Sequence, residues 1–125
     1  MDLLLDTHVF LWWVQAPETL SNKALSVISS SENVIFVSSI SLLEIAVKQS
    51  IGKLTSFIDF DKYISICNFL ELPLTAKQAY AVKNLPLHHR DPFDRALIAQ
   101  VKTTGLTLIT RDKILAKYEI PIIEA

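Results

Sequence analysis

The stretch DPFDRALIAQVKTTGLTLITRD, running from Asp91 to Asp112, carries a helix, both of its ends and the strand that follows. Asp91 has the side-chain oxygen that accepts from the free N–H groups of a first helical turn, and Pro92 has no N–H to lose there, so the helix starts at residue 92. Gly105 adopts at no steric cost the left-handed conformation that ends a helix. Residues 106–109 are then an apolar run of strand length, and Asp112 lies just past it. Within the helix Asp94, Leu97, Ile98 and Val101 share one face, which sets a carboxylate at the head of an otherwise apolar stripe.

Outward from this stretch, residues 75–84 read as a helix and 85–90 as a loop, while 110–118 read as a short helix before a last apolar run at 120–123. Pro121 suits that run to a sheet edge. At the other end of the chain, residues 3–5 predict a strand stopped by Asp6 and Thr7, both good helix caps, with a helix over 8–14 closed by Pro17. Ser21 caps a helix reaching about residue 31, and the β-branched and aromatic run 34–37 predicts a second strand. A helix follows over 40–51, stopping near Gly52, and another over 59–70 leads to the short run 71–74. Strands alternating with helices predict an α/β fold: a three-layer sandwich whose central, mostly parallel sheet has helices on both faces. No repeat, low-complexity segment or Gly/Ser linker interrupts the pattern, so residues 1–125 form a single domain.

Composition narrows the function. Half of the residues are hydrophobic and a fifth are charged, enough to build a core. Twelve Lys and Arg against thirteen Asp and Glu leave a net charge of -1, so no overall positive field draws the chain to nucleic acid or a membrane, and an anionic substrate must be held locally. Two glycines are too few for a GxGxxG turn or a P-loop. A lone Cys67 excludes an internal disulfide, a CxxC pair and a cysteine zinc cluster. The longest charge-free stretches, 7–17 and 33–43, fall short of the ~20 apolar residues of a membrane span. The opening Met1-Asp2-Leu3 lacks the cationic start of a secretory signal, which predicts a cytoplasmic protein.

The acids are where the pattern turns chemical. Asp6 and Asp112 follow strands. Asp91 and Asp94 open a helix, and helix starts share the sheet edge at which parallel strands end. Glu44 sits early in the helix after the second strand, on the stripe Ile40, Leu43, Glu44, Val47 and Ile51 that should pack on the sheet. Helix capping accounts for Asp91 outright and for part of Asp6, and Ser41 with Glu44 has the form of a capping box. Capping predicts solvated acids, whereas the stripes predict convergent ones. Carboxylates ~4 Å apart repel by roughly 4 kcal/mol per pair at an effective dielectric near 20, so such a cluster calls for a cation. All-oxygen donors without Cys or a helical His pair favour Mg²⁺, with Mn²⁺ as a substitute, and the chemistry of such ions is phosphoryl transfer.

Four segments, taken together, carry a resemblance: Leu3-Leu4-Leu5-Asp6-Thr7-His8, Ser41-Leu42-Leu43-Glu44-Ile45-Ala46, His88 through Gln100, and Leu108-Ile109-Thr110-Arg111-Asp112. In this order and spacing, over essentially the whole chain, they resemble the PIN domain, specifically the VapC-type toxins of bacterial toxin–antitoxin pairs. The resemblance implies a PIN-like sandwich and a Mg²⁺-dependent endoribonuclease that hydrolyses RNA phosphodiester bonds with the 3′-oxygen leaving. It implies Asp6, Glu44, Asp94 and Asp112 as catalytic, metal-binding acids, with a VapB-like antitoxin as partner and a homodimer. Beside that set, Asp91, Thr7 and Thr110 are expected to support the acids rather than bind the metal, and no membrane role is expected. Many PIN domains have a small polar residue two places after the first Asp, where this chain has His8.

Arg90, Arg95, Arg111 and Lys113 surround the acids in sequence and are the candidate RNA contacts. His88 and His89, adjacent in a loop, are expected at the surface or in loop packing. Of Trp12 and Trp13, one is expected in the core and the other at an interface or against a base. Two other readings remain: a catalytically silent PIN-like module that binds RNA or protein, and a receiver-type phospho-acceptor domain. The second expects an acceptor Asp after a middle strand, where Ser38 and Ser39 stand.

Overall fold

In the computed structural model, which describes residues 1–55 and 58–125, five strands make one sheet in the order β3-β2-β1-β4-β5. The strands are β1 (Asp2–Leu5), β2 (Val34–Ser38), β3 (Leu70–Leu72), β4 (Thr107–Thr110) and β5 (Ile122–Glu124). Every pairing is parallel, so the mostly parallel sheet expected above is wholly so. Leu3 pairs with Ile35 on one side and Thr107 on the other, and Leu5 with Val37 and Ile109, leaving β1 enclosed. Its three leucines are fully buried, as the unbroken apolar run of a two-sided strand requires.

Six helices connect the strands: α1 (Thr7–Gln15), α2 (Asn22–Ser29), α3 (Ser39–Ser50), α4 (Phe60–Ile66), α5 (Ala76–Ala81) and α6 (Pro92–Thr104). Alternation along the strands splits the core in two. Leu3, Leu5, Ile35, Val37 and Ile109 pack with α1 and α2 through Val9, Phe10, Ala24 and Ile28. Leu4 and Leu108 face the other way and pack on α6 through Ala96, Leu97, Ile98 and Val101. Each such side chain taken fully from water contributes roughly 1.5–3 kcal/mol. The chain thus leaves β1 toward β2 over one face and comes back to β4 over the other. The strand order reverses between β1 and β4, and the crevice beyond their carboxyl ends is where open α/β sheets bind ligands. Among the described residues no helix is long and apolar enough to cross a membrane.

Several elements differ from expectation for local reasons. The helix expected to run to residue 70 ends at Ile66, because Asn68 turns left-handed at φ 60 and the Phe69 N–H reaches back to the Ile64 carbonyl at 3.0 Å. Asparagine bears that conformation better than other residues with a side chain. The helix expected over 110–118 reduces to a 3₁₀ turn at Leu115–Tyr118, since Thr110 belongs to β4 and its carbonyl accepts from Ala125 N–H. The α3 stripe is the main correction. Leu43, Val47 and Ile51 face solvent, and the buried seam is Ile40, Ser41, Glu44 and Ile45. The helix is rotated so that Glu44, not leucine or valine, is what it turns inward.

Candidate active site

Asp6 directly follows β1 and caps α1: one carboxylate oxygen accepts from His8 N–H at 2.8 Å, and the other accepts from the Thr110 hydroxyl at 2.5 Å. At 5% exposure it is inside the protein, and burial pushes its carboxyl above the usual range, opposed by those two hydrogen bonds and by His8. Glu44 is 3% exposed. Its Oε2 accepts from Lys48 Nζ at 2.6 Å, one helical turn on, while its Oε1 is buried with no partner. A hydroxyl pair, Thr7 Oγ1 donating to Ser41 Oγ at 2.9 Å, ties the start of α1 to α3 beside it.

Asp91 caps α6 as the sequence requires, its Oδ1 accepting from Phe93 N–H at 2.8 Å and Asp94 N–H at 3.4 Å. That cap aims the first turn, and Asp94 with it, at the rim. The Asp94 carboxyl is pushed up to about 6 by burial and by the charges of Asp6, Asp91 and Glu44, with His89 acting the other way. Asp112, half-buried, accepts from Ile114 N–H at 2.9 Å, and its own N–H donates to Thr110 Oγ1 at 3.1 Å. Thr110 therefore links the two strand-end acids, donating to one and accepting from the backbone of the other. Ligand atoms of His89, Asp94 and Asp112 lie within 4.8 Å of one another. Asp6 and Glu44 lie outside that group, but near enough to Asp94 for their charges to act on its carboxyl.

His89 and Lys48 were not singled out as site residues by sequence. His89 Nε2 is 2.8 Å from Asp94 Oδ2 and 3.9 Å from Asp112 Oδ2. Its Nδ1 accepts from Arg90 N–H at 3.0 Å and Asp91 N–H at 3.4 Å, which puts the ring proton on Nε2, facing the acids. A loop histidine beside another has no periodicity to reveal it. Lys48 had a signal, its i+4 spacing from Glu44, and the inward turn of Glu44 is what brings it to the site. His88 fits its expectation of loop packing, edge-on to Tyr118.

The basic residues divide. Arg95 is buried, and its guanidinium donates to the carbonyls of Val82, Leu85, Pro86 and His89 and to the Tyr118 hydroxyl. It organises the loop that carries His89 and has nothing left for a substrate. Arg111 donates to the carbonyls of Ala125 and Thr19 and lies 4.5 Å from the Trp12 ring. Arg90 and Lys113 are exposed. Neither tryptophan is fully buried, but both pack against the core: Trp12 lies under Arg111, and Trp13 packs on buried Phe69 with its indole N–H 3.4 Å from Cys67 Sγ.

Such a site fits a hard divalent cation. Its donors are carboxylate oxygens with the His89 imidazole beside them, burial and then the neighbouring acids lift Asp94, and the bare Oε1 of Glu44 is a buried acceptor that a cation would satisfy. Among the described residues, His89, Asp94 and Asp112 are the group whose ligand atoms lie close enough together to hold an ion, with Asp6 and Glu44 as the neighbouring acids.

A family model, the PIN domain, matches residues 3–121. No curated protein matches the chain. Solved structures do, at low identity. VapBC2 from Rickettsia felis, bound to a DNA fragment from its promoter, has a similar chain at TM-score 0.74 and 17% identity, over 99% of this chain and 98% of that one. DNA-bound VapBC from Salmonella typhimurium aligns at 0.72 and 16% over the same shares. VapBC-5 from Mycobacterium tuberculosis, described as a toxin–antitoxin family member, aligns at 0.61 and 18%, again over 99% and 98%. At these identities the likeness is one of fold.

Proposed function

The chain belongs to the PIN domain family, and on that footing we propose that it is a Mg²⁺-dependent endoribonuclease, the toxin of a VapC-type toxin–antitoxin pair. The observation that carries the reading is Glu44, a carboxylate turned into the interior with one oxygen lacking any partner, in a rim shared with Asp6, Asp94 and Asp112. A purely structural acid would have a donor on each oxygen; Lys48 serves Oε2 alone, and the open Oε1 supports a cation-ligand role.

Asp6, Glu44, Asp94 and Asp112 are the proposed ligands, and when bound, Mg²⁺ or Mn²⁺ supplies the charge and the activated water that phosphodiester hydrolysis needs. The other groups hold those acids in place. Thr110 keeps Asp6 aimed and anchors the backbone of Asp112. Asp91, by capping α6, sets the direction of Asp94. Thr7, through Ser41, locks the start of α1 to the helix carrying Glu44. Hydrogen-bonded orienting groups of this kind are typically worth about 10–100-fold in metal affinity or activity. Arg90 and Lys113, exposed beside the site, remain the proposed RNA contacts.

Three of the solved structures similar in fold are VapBC complexes, which supports a VapB-like antitoxin as partner. Leu43, Val47 and Ile51 form an exposed apolar row on α3, which supports a protein-covered face there, in a homodimer or under the antitoxin. A cytoplasmic location goes with this role.

The test is cleavage of RNA by the purified chain with Mg²⁺, with Mg²⁺ removed by chelation, and by Asp94→Asn. Cleavage is expected to vanish with the chelator and to fall at least a thousandfold in the variant, whose circular dichroism stays native. A variant that still cleaves with Mg²⁺ contradicts the role of Asp94. A wild-type chain that binds RNA and never cleaves it points to the silent binding module.

A further inference from the structure

We propose that Lys48 is a tethered cation of the active centre, pairing with Glu44 when no divalent ion is bound and passing to the substrate phosphate once that ion has taken Glu44 over. The inference rests on the nuclease reading and adds to it a residue for which the acids alone leave a need.

Three observations lead to it. First, Lys48 Nζ sits 2.6 Å from Oε2 of Glu44, so the buried carboxylate has one oxygen on an ammonium group and the other on nothing. An ordinary Glu–Lys pair one turn apart lies wholly in solvent, with both oxygens hydrated; here only the lysine end is wet, its side chain 37% exposed. Second, the stem of a lysine is flexible and its ammonium is a compact point charge, so the group that pairs with Glu44 can turn outward without moving the helix. Third, the charges do not balance for an anionic substrate. Asp6, Glu44, Asp91, Asp94 and Asp112 bring five carboxylates to the rim, which one divalent ion does not neutralise. Arg95 and Arg111 are spent on carbonyls of the loop and the chain end, and Arg90 and Lys113, exposed and open to the RNA backbone, form no ion pair with these acids. Among the described lysines and arginines, Lys48 is the one paired with an acid of the site. A phosphate approaching this rim meets that ammonium beside the ligand set.

The test titrates Mn²⁺ calorimetrically into the full chain and measures Mn²⁺-dependent cleavage of a single-stranded RNA, for wild type, Lys48→Met and Lys48→Arg. Lys48→Met is expected to bind Mn²⁺ about tenfold tighter, since a competing positive charge has gone. Its kcat is expected to fall about a hundredfold with the melting temperature little changed, and Lys48→Arg to recover most of that loss. A merely structural lysine would not raise metal affinity while lowering turnover. Lys48→Met with wild-type Mn²⁺ affinity and kcat overturns the proposal, as does a parallel loss of Mn²⁺ affinity and stability. A wild-type chain that neither binds Mn²⁺ nor cleaves RNA removes the nuclease reading, and the lysine's role with it.

Discussion

Asp94 shows how the site is held at a cost to the fold. Its carboxyl is pushed up to about 6, against an unfolded value near 3.9, so the folded chain binds the proton more tightly than the unfolded one. Stability from this group is therefore lost as pH rises from about 4 to 6, and the full penalty stands above that. In metal-free protein at pH 7.5, Asp94→Asn is expected to raise the melting temperature by roughly 2–5 °C, with the gain shrinking toward pH 4.5. Calorimetry at the two pH values checks this. A variant less stable than wild type at pH 7.5 would mean that burial and the neighbouring acids do not penalise the Asp94 charge. Asp94 was legible in the sequence because it heads an apolar stripe that is buried, whereas the stripe that predicts Glu44 includes Leu43, Val47 and Ile51, which face solvent, so its inward turn is reached on the wrong ground. Lys48 and His89 were not legible, because their placement depends on how α3 is turned and on how the loop before α6 folds.

Helix ends were legible where side chains write them. Ser21, Asp91, Pro92 and Gly105 all stand where the caps require. The turn at Asn68 and the rotation of α3 were not legible, the first because one asparagine decides it and the second because neighbouring helices, not periodicity, choose which face is buried. The loop from Leu85 to Arg90 depends on a residue outside itself. Arg95 supplies donors to its carbonyls from within α6, and Tyr118 completes the knot by accepting from the His89 N–H at 2.9 Å. Arg95→Ala leaves these carbonyls without their donor and is expected to cost roughly 2–4 kcal/mol, measured by urea unfolding. Arg95→Lys should recover little, since an ammonium cannot reproduce the planar fork. Full stability in Arg95→Ala would show that the loop organises itself.

The architecture places the chemistry without any overall charge to help it. β1 and β4 are neighbours in the sheet and far apart in sequence, and each ends at an acid, with Thr110 bonding across the junction to Asp6. α3 and α6, packed against each other, add Glu44 and Asp94. The alternating order of elements made this edge predictable, while the fully parallel pairing and the all-buried β1 came from the fold itself. The central claim is that four distant carboxylates share one cation pocket. Crystals grown with Mn²⁺ and measured for anomalous scattering test it most directly. The account predicts a manganese peak bounded by Asp6, Glu44, Asp94 and Asp112, with Glu44 Oε1 among its ligands. A peak elsewhere on the surface, or none at this junction at millimolar Mn²⁺, would contradict it.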